Sequence, residues 1–379
     1  MNNNKYIPLL RFPEFQNEGE WELRSLAEIL NYEQPGAYIV NDTNYKKTGT
    51  PVLTANKGFI LGYTDESYGV YNDLPVIIFD DFTTDKKFVN FPFKVKSSAI
   101  KLLTSKNKNR DDLKFIFECM KNIKFEEKEH KRYYISTYQN IKILVPKSTQ
   151  EQKKIADCFV SIDKEIDATK RKLEQLKEHK KGLMQKLFPA KGKTLPELRF
   201  PEFQNDGEWI PRPLSDILNY EQPTSYIVEN DTYKKEGTPV LTANKGFILG
   251  YTDESLGIYN KLPVIIFDDF TTDKKYVDFP FKIKSSAIKL FSLKDEERDN
   301  LRFVFECMNN IVFEEKEHKR YYISEYQHIN ICVPSSLQEQ NQIADTLVSV
   351  DKQISEYDKK IKALELHKQG LMQQLFPKL

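Results

Sequence analysis

The chain has 379 residues, room for two or three domains and a sizeable core. Its 57 Lys plus Arg against 56 Asp plus Glu leave a net charge of +1, which excludes a global polyanion-binding surface and requires any basic patch to be local. No apolar run approaches the ~20 residues of a membrane span, the first residues lack a signal peptide's apolar core, and Cys119, Cys158, Cys307 and Cys332 show no metal-ligand spacing, so a soluble cytoplasmic protein with reduced thiols is expected.

In chain order, residues 23–30 predict a short helix. Residues 52–54, 59–63, 76–79, 88–93, 99–103 and 141–145 have the β-branched and aromatic content of short strands between Gly, Pro and Asn turns. Residues 113–122 predict a helix with one apolar face. Residues 148–187 predict a long helix, with Ser148 or Thr149 as N-cap and Phe188-Pro189 as its stop. Its apolar residues Ile155, Phe159, Ile162, Ile166, Leu173, Leu176, Leu183 and Leu187 step by four and three once Thr169 and Lys180 count as polar interruptions, the seam of a coiled coil.

All of this is then written a second time. Residues 10–21 return as 198–209 with one change, 51–67 return unchanged as 239–255, 75–87 as 263–275 and 126–136 as 314–324, always 188 positions on. The second seam is Ile343, Leu347, Val350, Ile354, Ile361, Leu364, Leu371 and Leu375, with Tyr357 and Lys368 in phase. The organisation expected is α+β: two tandem-duplicated α/β domains at 1–147 and 190–335, separated by long helices at 148–189 and 336–379. A helix of 40 residues is ~60 Å long, and the linker at 190–196 is far too short to span that. The two helices are therefore expected to form an antiparallel coiled coil carrying a head at either end.

Twin heads with a two-fold relation suit a DNA duplex, whose local dyads relate its strands. Sixteen cations against six acids at 86–147, but eleven against ten at 274–335, rule out a general basic patch common to both heads. The cations present in both are the candidates for phosphate contact: Lys46, Lys47, Lys57, Lys86, Lys87, Lys94, Lys96, Lys131 and Arg132, with Lys234, Lys235, Lys245, Lys274, Lys275, Lys282, Lys284, Lys319 and Arg320. Asn56-Lys57 and Asn244-Lys245 sit beside a glycine in a strand-flanking turn, where an amide can pair with adenine and an ammonium with guanine; the same residues serve equally as a turn that needs unusual backbone angles. His130, Lys131, Arg132 and Tyr133, repeated as His318, Lys319, Arg320 and Tyr321, interleave cations with aromatics. They read as a DNA contact, or as a solvated edge whose tyrosines pack inward.

The opening LRFPEF…GEW, the GTPVL strand start, and Val145-Pro146…Gln150-Glu151-Gln152…Ile155, repeated at Val333-Pro334…Gln338-Glu339-Gln340…Ile343, resemble the DNA-specificity (S) subunit of bacterial type I restriction–modification systems. The likeness runs over essentially the whole chain, twice. It implies two target-recognition domains, each reading half of a bipartite double-stranded DNA target. The helices would act as a ruler and as a dock for two methyltransferase subunits, which use S-adenosylmethionine; restriction subunits, which use ATP and Mg, would join the assembly. It implies no catalysis and no cofactor in this chain. Most members of that family pair dissimilar recognition domains, whereas near-identical heads imply an interrupted inverted repeat. Informative exceptions include Gly36-Ala37 against Thr224-Ser225, residues 41–44 against 229–232, and Tyr68 against Leu256.

No Pro-Pro, hence no adenine-methyltransferase signature, and no phosphate loop occurs. Two other readings compete. Asp80-Asp81…Asp85-Lys86-Lys87 and Asp268-Asp269…Asp273-Lys274-Lys275 could chelate Mg²⁺ in a nuclease, or could be a strand end and charged turn. The seams alone would also suit a coiled-coil scaffold with no nucleic-acid role.

Overall fold

The computed structural model describes residues 6–56, 58–126, 131–244, 246–314 and 319–377. Its contacts divide the chain into two units, Met1–Lys170 with Lys359–Leu379, and Arg171–Asp358.

In the first unit β1 (Glu22–Ser25) pairs antiparallel with β9 (Lys142–Val145). The helix expected at 23–30 shrinks to the single turn α1 (Leu26–Ile29), followed by β2 (Leu30–Glu33). Pairing on either side overrides helix propensity, and in this unit a capping box closes the start of the short turn. The Ser25 side chain accepts the Glu28 N–H, and Glu28 accepts the Ser25 N–H at 2.9 Å. Strands β3 (Thr50–Leu53), β4 (Ile60–Thr64), β5 (Val76–Asp80) and β8 (Ile100–Ser105) fall within a residue or two of expectation. The strand expected at 88–93 is instead two, β6 (Lys86–Val89) and β7 (Lys94–Val95), because Pro92 supplies no N–H between them.

The layers follow from β5, buried at all five positions. It is a central strand of the sheet β2-β8-β5-β6, and alternate residues point to opposite faces. Ile77 and Phe79 face a helical core with Phe115 and Ile116 of α2 (Leu113–Lys121) and with Ile155 and Phe159 of α3 (Thr149–Leu187). Val76 and Ile78 face a second core beneath the three-stranded sheet β4-β3-β7, with Leu53, Phe93 and Val95. The head is thus an outer sheet, an inner sheet and a helical layer.

The second unit repeats this with β10 (Ile210–Pro213), α4 (Leu214–Ile217), β11 (Leu218–Glu221), β12 (Thr238–Leu241), β13 (Ile248–Thr252), β14 (Val264–Asp268), β15 (Lys274–Val277), β16 (Lys282–Ile283), β17 (Ile288–Leu293), α5 (Leu301–Asn309), β18 (Asn330–Val333) and α6 (Leu337–Leu375). Its two sheets have the same strand orders.

Each 39-residue helix contributes to both units. In the first unit Asp163 pairs with Lys368, and Lys170 with Glu365 at 2.7 Å, so the numbering runs in opposite directions. Leu375 shares a core with Ile155 and Phe159. In the second, Leu187 shares a core with Ile343 and Leu347, and Lys180 meets Asp351 at 2.7 Å. The helices are antiparallel, as the short linker requires. Of the seam residues Ile155, Phe159, Ile166, Leu173, Leu176, Leu187, Ile343, Leu347, Val350, Ile361 and Leu375 are buried, and Ile162, Leu183, Ile354, Leu364 and Leu371 half-buried. Lys180 and Lys368 interrupt the seam at equivalent positions, each pairing with an aspartate of the other helix, and a polar seam position fixes register. Lys368→Asp should weaken the first unit by about 1 kcal/mol, given the partial exposure of the pair. Adding Asp163→Lys together with Lys121→Ala, which removes the second lysine bound to Asp163 at 3.1 Å, should recover most of that relative to Lys121→Ala alone in urea unfolding; no recovery would mean that the pair does not set the register.

The four cysteines are free, and burial pushes the Cys119 and Cys307 thiols well above their usual pKa. No described helix is long and apolar enough to cross a membrane.

Candidate nucleic-acid interface

The turn after β5 gathers three stretches that are far apart in sequence. Asp80 ends the strand, and its Oδ1 accepts the N–H groups of Phe82 (2.9 Å) and Thr83 (3.0 Å). Thr84 follows in the left-handed region at φ +51°. Asp81 turns inward: its Oδ2 lies 2.9 Å from Lys101 Nζ on β8, its Oδ1 accepts the Tyr134 N–H at 2.7 Å, and its carbonyl accepts the Tyr133 N–H at 2.8 Å. One carboxylate therefore fastens residues 131–138 to the inner sheet. The Thr83 hydroxyl donates to Asn56 Oδ1 at 3.3 Å, which brings in the β3–β4 loop. Arg132 lies over the Phe82 ring at 5.8 Å, and Lys86 over Tyr138 at 5.4 Å. Asn56, Lys86, Lys131 and Arg132 are thus assembled about one turn, with Lys131 and Arg132 exposed.

The second unit builds the same arrangement. Asp269 pairs with Lys289 at 3.4 Å and accepts the Tyr322 N–H at 2.8 Å; Thr271 donates to Asn244 at 3.2 Å; Arg320 lies over Phe270 at 5.7 Å. Lys274 lies over Tyr326 at 5.6 Å, and burial lowers its pKa against the opposing pull of Asp273. Lys319 is exposed and paired with Glu325 at 2.8 Å. The aromatic platforms Phe82 and Phe270 lie far in sequence from the arginines they carry, so no local pattern points to them.

Four of the expected contact residues are buried. Lys94 and Lys282 are only 1% and 3% exposed. Their ammonium groups bond Glu66 (2.7 Å) and the Tyr68 carbonyl (2.9 Å), and Glu254 (2.6 Å) and the Leu256 carbonyl (2.7 Å). They pin loops from within. Tyr133 and Tyr321 are buried edge-on against Phe125 and Phe313, each at 5.1 Å, so the inward-packed alternative holds for these tyrosines. Lys46 and Lys234 are exposed but paired with Asp65 and Asp253, and those hydrogen bonds hold both carboxyls below their usual range. Lys47, Lys96 and Lys235 are exposed; Lys87 and Lys275 half-buried; Lys284 pairs with Asp231. Lys57, Lys245, His130 and His318 lie outside the described residues.

The first two aspartates of the candidate nuclease cluster hold groups of the protein itself. Asp80 is committed to backbone N–H groups and Asp81 to a buried lysine, and among the described residues no cluster of three or more His, Cys, Asp or Glu could hold a metal.

The sequence pattern of the family described as Type I restriction modification DNA specificity domain matches residues 18–178 and again 206–366. The chain belongs to this family. It is 44% identical over 165 residues to the type I restriction enzyme EcoR124I/EcoR124II specificity subunit of Escherichia coli. It is 27% identical over 206 residues to the MjaVIII specificity subunit of Methanocaldococcus jannaschii. These alignments span 40% and 45% of those relatives' lengths. The crystal structure of a type I restriction-modification system S subunit from M. genitalium matches 98% of this chain and 100% of its own, with TM-score 0.75 at 14% identity, a likeness of fold.

The Gln-Glu-Gln motif that carries the family resemblance has a structural role in this specificity-domain chain. Glu151 accepts Arg11 Nε and Nη2, each at 2.7 Å, and the Trp21 indole N–H at 3.4 Å. Gln152 accepts the Asp112 N–H at 2.8 Å and donates to the carbonyls of Pro146 (2.9 Å) and Arg110 (3.0 Å). The first turn of α3 thereby clamps the LRF segment, the start of α2 and the end of β9 together. Glu339 and Gln340 repeat it with Arg199, Trp209 and Asn300.

Proposed function

We propose that the chain is the non-catalytic, sequence-specific double-stranded DNA-binding subunit of a cytoplasmic type I restriction–modification complex. Each recognition domain reads one half of a bipartite target, the paired helices set the spacer and dock two methyltransferase subunits, and restriction subunits join the assembly. The observation that carries the reading is the duplicated cluster of Asn56, Lys86, Lys131 and Arg132 about one turn, in a chain of the DNA specificity domain family. Exposed cations supply phosphate contacts, and a loop amide supplies a base-edge contact. Chemistry belongs to the partners: S-adenosylmethionine to the methyltransferases, ATP and Mg to the restriction subunits. Near-identical heads imply half-sites in inverted repeat wherever the copies share their reading residues.

Mapping methylated sites in a host expressing this chain with its cognate methyltransferase should return two related half-sites in opposite orientation. Unrelated half-sites would defeat the reading. Binding of the complex to random duplexes should fall steeply with salt. Arg132→Ala and Arg320→Ala should each reduce the slope of log affinity against log salt by about 1; an unchanged slope would remove these arginines from the phosphate contacts. A coiled-coil scaffold would show no shift at any salt.

A further inference from the structure

The two heads diverge at stretches separated in sequence, and the fold brings three of them together. In the first head Asn41 Nδ2 donates to the Tyr68 hydroxyl at 2.8 Å. Glu66 Oε1 accepts the N–H groups of Asn41 (2.9 Å) and Asp42 (3.0 Å), and its other oxygen holds Lys94, which in turn holds the Tyr68 carbonyl. Gly69, at φ +63°, closes the cluster: a Cβ there would lie 2.4 Å from the Ala37 carbonyl oxygen. Residues 36–37, 41–44 and 68 therefore form one surface.

The second head keeps the supports and changes the tips. Glu254 accepts the Glu229 and Asn230 N–H groups, Lys282 holds the Leu256 carbonyl, and Gly257 passes Ser225 as Gly69 passes Ala37. A cleft of ≈ 490 Å³ lies among Thr224, Ser225, Glu229, Leu256 and Lys282. The exposed groups differ in kind. The first head presents an amide joined to a tyrosine 63% exposed; the second presents a carboxylate and a leucine 82% exposed, and has no counterpart of the Asn41–Tyr68 bond. The flanking segments 51–67 and 239–255 are identical.

We propose that this loop cluster is the specificity-determining surface at which the two half-sites part, with Asn41 and Tyr68 reading in one head and Glu229 and Leu256 in the other. The inference rests on the DNA-reading function above. An amide suits the two edge groups of adenine. A carboxylate accepts from the cytosine amine, and an aliphatic side chain suits the thymine methyl. The half-sites agree except at one or two adjacent base pairs, where the first carries adenine and the second a pyrimidine. A well-formed base contact discriminates by about 10- to 100-fold, enough to fix a methylation target.

The test is methylation mapping of the complex with the wild-type chain and with Glu229→Asn/Leu256→Tyr, which alters two exposed side chains and leaves the supports in place. The wild type should give half-sites differing only at that position, and the double variant should give a perfect inverted repeat of the first half-site. The reciprocal Asn41→Glu/Tyr68→Leu should double the second half-site. As a control, Asp295→Asn/Glu296→Lys/Glu297→Asn, another divergent exposed stretch, should leave the target unchanged. A wild-type target already perfectly palindromic, or double variants that methylate an unaltered target, overturn the proposal. Absence of any methylation by the wild-type complex would instead sink the underlying function. Loss of methylation by both double variants, with random-duplex binding and urea midpoint retained, would count against the loops as replaceable readers.

Discussion

Asp81→Ala is expected to destabilise the first unit by about 3–5 kcal/mol, because it leaves the Lys101 ammonium buried without a counter-charge. It also strips the Tyr134 N–H of its acceptor, and a buried donor left unpaired costs its desolvation. Urea unfolding of the full chain should show an early transition absent from the wild type, with the second unit, which keeps Asp269, unfolding as before. Asp81→Ala/Lys101→Met should recover much of the loss, since removing both charges removes the uncompensated one. The substitution also separates two meanings of the aspartate pair. A metal-binding nuclease would keep its fold and lose Mg²⁺-dependent cleavage. A structural carboxylate loses stability first, and DNA affinity falls with it as residues 131–138 come away from the turn. Arg132→Ala should lower affinity at unchanged stability, and a normal urea midpoint for Asp81→Ala would contradict the role assigned here.

What was legible beforehand depended on how local the determining interactions are. The seams and most of the strands follow from patterns within a dozen residues, and the 188-residue repeat from direct comparison of the chain with itself; the structure has them. The antiparallel helix pairing followed from one length comparison, a 39-residue helix against a short linker. Residues 23–30 failed because their strand partners, β9 and β8, lie far along the chain. The lysines failed for a related reason. Lys94 and Lys96 stand two apart and predict the same face, but β7 is only two residues long and Glu66, 28 residues earlier, draws Lys94 inward. Charge sharing between both heads selected support and surface alike. Glu151 belongs to a motif local in sequence, whereas its partner Arg11 lies 140 residues away and meets it only in the fold. The divergent positions were visible as a list; that they meet on one surface was not.

Inserting seven residues in both helices, after Ala168 and after Glu356, is expected to lengthen the spacer between half-sites by about three base pairs without changing either half-site. Seven helical residues add ~10 Å at 1.5 Å each, and B-DNA rises about 3.4 Å per base pair. A whole heptad keeps the apolar seam in phase, so Leu173 and Leu176 still meet a seam position, whereas three or five residues would rotate it toward solvent. Both sites lie close to the points at which the helices pass from one unit to the other, between Lys170 and Arg171 and between Asp358 and Lys359. They also lie clear of the register pairs Lys180–Asp351 and Lys368–Asp163. Lengthening one helix alone breaks the match between the two pairs, so single insertions should lose methylation where the double insertion retains it. Methylation mapping decides the matter: a double insertion that methylates sites with the original spacer would show that the paired helices do not set it.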